Sequence, residues 1–118
     1  MIKGQAIGVY KQIIDKEADD TVDHTFYGAY IKPKQIVELT HLSVMNIDES
    51  DKKLSIGIQQ GSKGIHWIKK EEASNRHACW LNGHIILTEN ERPVGRVENP
   101  DGGNDLKFTA MGLIYAEE

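Results

Sequence analysis

From Gly4 to Tyr115 the chain alternates apolar and polar residues in short runs, and Gly, Pro, Asn and Asp separate the runs. Ile7 and Val9, Leu54-Ile56-Ile58 and Leu106-Phe108-Ala110 each send every second side chain to one side. A period of two belongs to a strand with one face buried, and no stretch of similar length carries the helical period of 3.6. The pattern predicts an all-β, antiparallel β-sandwich of jelly-roll-like form, with about eight or nine strands in a single domain over residues 1–118. That is an architecture, and architecture alone does not name a function.

The first strand is expected over Gly4–Ile14, with Ile7, Val9 and Ile13 on one face and Tyr10 on the other. The acidic stretch Asp15–Asp23 reads as a solvated loop. It lacks the Gly and Glu positions of a calcium-binding EF-hand loop. A strand rich in aromatics follows over Thr25–Ile31 and ends at Pro33, which cannot donate to a ladder. Gln35–Ile47 is a long strand whose apolar positions change phase, from Val37 and Leu39 to Leu42 and Val44. A slip of one residue predicts a β-bulge at Thr40-His41. Leu54–Gln60 and Ile65–Lys69 form a hairpin around Gly61-Ser62-Lys63-Gly64. Glu71–Asn75 is a polar connection. His77–Leu81 and His84–Thr88 flank Asn82-Gly83, a pair that predicts a type I′ hairpin. Val94–Val97 and Leu106–Tyr115 complete the set, separated by a loop of turn formers from Asn99 to Asp105.

The net charge of −4 argues against binding a phosphate backbone, and nucleic acid is not an expected partner. No apolar run approaches the length needed to span a bilayer, so no membrane partner is expected. The N-terminus lacks the apolar core of a signal peptide, which points to synthesis in a cytoplasm. A single cysteine, Cys79, allows no internal disulfide and reads as a buried, inert thiol.

The five histidines include no His-x-His pair, and only His77 and His84, across the expected Asn-Gly hairpin, are brought close. No metal, other cofactor or catalytic residue is therefore assigned. The serines lack a glycine-elbow context. A Cys79–His77 thiolate pair is disfavoured by the apolar surroundings. The candidate interface residues are the aromatics Tyr27, Tyr30, Trp67 and Trp80, together with Asn82 and Gly83 in a glycine-containing loop.

Four stretches carry a resemblance to a known group. Ile31–Leu39 has a proline, a short spacer and then an apolar-x-apolar strand. Leu54–Ile58 with Gly64–Ile68 forms a central hairpin, Trp80–Pro93 ends a strand in an acidic turn, and Asp105–Gly112 closes the chain. Together they resemble the small virion-associated β-sandwich proteins of tailed bacteriophages, including head decoration (cement) proteins. The resemblance implies a non-enzymatic virion structural protein, made in the host cytoplasm. It also implies docking on a major capsid or tail protein, commonly as a homotrimer. The other readings are a carbohydrate-binding jelly-roll module, using the same aromatics as a stacking platform, and a cupin-like metal enzyme.

Overall fold

The chain in the computed structural model is one long antiparallel hairpin rolled onto itself. The structure describes residues 4–19, 22–50, 52–71 and 77–117. Met1–Lys3, Asp20 and Thr21 of the acidic stretch, Asp51, Glu72–Asn75 of the polar connection, Arg76 and Glu118 lie outside them. The strands are β1 (Gly8–Glu17), β2 (His24–Tyr27), β3 (Gln35–Asn46), β4 (Leu54–Gln60), β5 (His66–Glu71), β6 (Ala78–Trp80), β7 (Ile85–Leu87), β8 (Glu91–Val97) and β9 (Asp105–Ala116). β1 pairs with β9, β2 with β8, β3 with both β6 and β7, and β4 with β5. Rolling that hairpin gives a sheet ordered β1-β9-β3-β6, with β7 also on β3, and a second sheet ordered β2-β8-β4-β5. With β6 and β7 counted as one interrupted strand, this is the eight-stranded jelly roll.

The two sheets enclose a core of Phe26, Val37, Leu39, Leu42, Val44, Leu54, Ile56, Leu87, Val97, Leu106 and Phe108, all buried. Phe26 of one sheet stacks on Phe108 of the other, ring centroids 5.9 Å apart and planes nearly parallel. The expected bulge is present: Leu39 faces Gly112 on β9 and His41 faces Met111, which leaves Thr40 as the extra residue. A second bulge, at Ile68 of β5, lets both Leu54–Ile56 and Gly57–Ile58 keep their partners.

The structure corrects several expectations. β1 begins at Gly8 and runs on to Glu17, so Asp15, Lys16 and Glu17 are strand rather than loop, opposite Lys107, Leu106 and Asp105. Ala18 just beyond is buried. The twofold alternation of β1 holds, yet the face that enters the core is that of Tyr10. Its hydroxyl donates to Ala29 O at 2.6 Å. Ile7, Val9 and Ile13 are turned outward and are 61, 68 and 50% exposed. β2 stops at Tyr27, and β8 starts at Glu91 and continues through Pro93.

Asn82-Gly83 is not a hairpin turn. β6 lies against Ser43–Met45 and β7 against Val37–Leu39, so the two continue in one direction along β3. Of the pair only Gly83 has a positive φ, at 90°, whereas a type I′ turn requires it at both positions. The twelve residues of β3 expose a full edge, and the two short strands together pair along it. That pairing outweighs the local turn preference.

Candidate interaction surfaces

Period-two geometry gives each sheet an outer face, and the register assigns the residues of both. On the four-stranded sheet, Tyr27 faces Val94 on β8, Val94 faces Gly57, and Gly57 faces Trp67. Arg92 and Arg96 flank this row, because they lie two residues on either side of Val94 and so share its face. The Arg92 guanidinium sits between two rings, 4.1 Å from the centroid of Tyr27 and 4.4 Å from that of Tyr30. Its Nε and Nη2 donate to Gln59 Oε1 at 2.9 and 2.6 Å. Arg96 lies 4.8 Å over Trp67 and donates from Nε to Thr25 Oγ1 at 3.1 Å. Tyr30 is held by its hydroxyl, which donates to Gly61 O at 2.7 Å. Flat guanidiniums stack on aromatic faces while keeping in-plane N–H groups for acceptors, so this face is cationic and aromatic together. Val94 beneath it is fully buried.

The five-stranded sheet has a different outer face. One row crosses it from Val9 through Leu113 and Glu38 to Ile86. A second runs from Ile13 through Thr109 and Ser43 to Trp80. Val9, Ile13, Leu113, Ile86 and Trp80 are all exposed there, and Ile7 is exposed just before β1. The face therefore presents branched aliphatic side chains and one indole to solvent, which is more than the scattered apolar residues usual on a surface. Lys69 reaches round from β5, its Nζ 5.2 Å from the Trp80 ring and 3.2 Å from Trp80 O. The chain matches no protein-family model and no curated protein.

The residues singled out from the sequence thus separate. Tyr27, Tyr30 and Trp67 come together on the four-stranded sheet. Trp80 sits on the opposite face of the molecule, and Asn82 and Gly83 lie exposed in the loop between β6 and β7. Sequence reasoning missed Arg92, Arg96 and Gln59, although the spacing of the two arginines by four on a strand was a readable signal for a shared face. It also missed Ile7, Val9, Ile13, Leu113 and Ile86 as surface residues, since the period of two does not say which face turns inward.

The histidine expectation is corrected as well. His77 Nδ1 lies 3.1 Å from Asn46 O, and His84 Nδ1 lies 3.4 Å from Glu38 Oε2. Their partners are eight positions apart along β3, on the order of 26 Å at the rise of a strand. Among the described residues no group of three or more His, Cys, Asp or Glu side chains is placed to hold a metal ion. Cys79 points into the core with Sγ 3.8 Å from Lys69 O, and His77 bonds elsewhere. Burial pushes the Cys79 thiol up to about 11, with the positive charge of Lys69 pulling in the opposite direction.

Proposed function

We propose that the protein is a non-enzymatic virion structural protein of the decoration type, which attaches to a capsid or tail assembly through the outer face of its five-stranded sheet. The observation that carries this reading is the outward face of β1, which holds Val9 and Ile13 in solvent, with Val9 beside Leu113. Apolar side chains fixed on a rigid sheet form a preorganised contact, because little conformational freedom is lost when a partner covers them. The resemblance of four sequence stretches to virion-associated sandwiches supplies the class of partner.

The carbohydrate reading draws support from the exposed Tyr27 and Tyr30 beside Gln59. Against it, Tyr27, Tyr30 and Trp67 each turn a ring face to a guanidinium within 4.8 Å. A sugar stacks on the same faces, so it has only the opposite side of each ring.

Co-sedimentation with capsids and tails purified from the chain's own source tests the proposal. The native protein is expected to pellet with the particles, and a Val9→Glu, Ile13→Glu double variant to stay in the supernatant. If the native protein stays behind, the virion reading fails. If the variant pellets as well as the native chain, the face is wrong. Retention on a glycan array that Tyr27→Ala abolishes would favour the carbohydrate reading.

A further inference from the structure

Open sheet edges are where β proteins add strands, and the edges of this fold are not equivalent. β2 is only four residues long. β6 and β7 have three residues each and are separated by residues 81–84. β5 is bulged at Ile68 and carries Lys69 and Lys70. Shortness, interruption, bulges and lysines are the devices that keep an edge from pairing with another chain. β1 has the opposite character. It runs for ten residues, keeps an unbroken register against β9, contains no proline, and among the described residues pairs with a strand on one side only.

The direction of its outer backbone groups follows from the bonds that β9 makes on either side. Ala18 N donates to Asn104 O at 2.8 Å in register with the β1–β9 pairs, and Ile47 N donates to Asp105 O at 2.9 Å, which turns the odd-numbered residues of β9 toward β3. Both place the even-numbered residues of β1 in bonding contact with β9. In an antiparallel ladder the alternate residues point the other way. The N–H and C=O groups of Val9, Lys11, Ile13, Asp15 and Glu17 therefore project from the open edge, where the Lys11 carbonyl accepts from Gln12 Nε2 of its own chain at 3.1 Å, a bond that a second strand would replace.

We propose that this edge pairs antiparallel with β1 of a second copy, about a two-fold axis through Ile13, and so joins two five-stranded sheets into one. The side chains select both the partner and the register. A two-fold contact sets residues on the same face opposite each other, and like charges directly opposite are unfavourable. An axis through Lys11 sets Lys11 against itself, and one through Asp15 sets Asp15 against itself. Axes through Gln12 or Ile14 place Val9 or Ile13 against Asp15. Only the axis through Ile13 sets isoleucine on isoleucine and, on either side of it, Lys11 of one copy against Asp15 of the other, and it leaves an apolar residue opposite a carboxylate (Val9 and Glu17) only at the outer ends of the pairing. Asp15 also lies 3.7 Å from Lys107 of its own chain and is largely exposed, so its carboxylate can meet both lysines. The inference goes beyond the docking role proposed above and does not depend on it. In such a dimer the exposed Val9 and Ile13 of the two copies become the centre of one continuous face.

Light scattering on the purified native chain is expected to give twice the 13.3 kDa of one copy. Lys11→Glu alone and Asp15→Lys alone are each expected to weaken the dimer on the order of tenfold, since each is repeated by symmetry. The Lys11→Glu, Asp15→Lys double variant restores opposite charges in this register alone and is expected to recover native dimer strength. Ile13→Pro removes an outward N–H while leaving the bonds to β9 in place, and is expected to yield a folded monomer. If that variant does not fold, the charge series reads the same contact without it. A native monomer or trimer overturns the proposal, and so does a double variant as weak as either single one. A dimer that never pellets with particles leaves the pairing standing and sinks the docking role, while a monomer that pellets does the reverse.

Discussion

Asn46 does more for this fold than its place in an apolar strand suggests. Fully buried, it donates from Nδ2 to Asn104 Oδ1 at 3.0 Å, while its own Oδ1 accepts from the backbone N–H of Asp48 and Glu49, both at 3.1 Å. Asn104 Oδ1 in turn accepts from Asp101 N at 3.0 Å. Two buried amides thus satisfy the turn after β3 and the loop before β9 at once. Asn46→Ala strands those groups and is expected to cost on the order of 2–3 kcal/mol, read as a drop in the thermal midpoint. Cys79 makes a second residue-scale expectation, about pH. Its thiol is raised from an ordinary 9.0 to about 11, so the folded state resists losing a proton that the unfolded chain gives up more readily. The resulting stability is complete below pH 9 and declines as the pH rises from 9 towards 11. Cys79→Ala is expected to remove that decline in denaturant titrations between pH 9 and 10. Above this range burial also raises the Tyr10 phenol from its ordinary 10.0, so a second loss begins there.

At the scale of elements, the two bulges decide how strands meet, and each has a glycine at its closest approach. Gly112 of β9 faces Leu39 where Thr40 is inserted, and a Cβ there would fall inside the contact distance of Glu38 O. Gly57 of β4 stands in the same relation to His66 O on β5. A methyl group at either site meets main chain, which cannot rotate aside as a side chain does. Gly112→Ala is therefore expected to destabilise by about 1–3 kcal/mol, with chemical denaturation as the readout. The bulge at Thr40 was readable in the sequence, because the phase of apolar residues changes between Leu39 and Leu42. The bulge at Ile68 left no such mark. β1 is the contrasting element. Its alternation was legible, but Ile7, Val9 and Ile13 form the more apolar side and still face outward. Tyr10 goes inward because its ring fills the core while its hydroxyl reaches Ala29 O, which the aliphatic side chains cannot match.

For the molecule as a whole, the rolled hairpin explains why two unlike surfaces coexist on so short a chain. Each sheet buries one face against the other and leaves one to solvent, and the outward positions diverge into an arginine-aromatic face and an aliphatic face. The same winding leaves β1 as an open edge at one side of the larger sheet, so the mass in solution and the particle-binding experiment probe adjoining parts of one surface. The all-β class, the number of strands, the β4-β5 hairpin and the bulge at Thr40 were fixed by the sequence alone, because periodicity and turn chemistry act over a few neighbouring residues. Which strands became partners was decided only in three dimensions. Asn82-Gly83 favours a hairpin locally, yet the long edge of β3 offered β6 and β7 more backbone bonds than they could make with each other. The inward face of β1, the stacking of Arg92 between Tyr27 and Tyr30, and the separation of His77 from His84 are consequences of the same pairing. Each depends on residues far apart in the chain, and no local pattern carries that information.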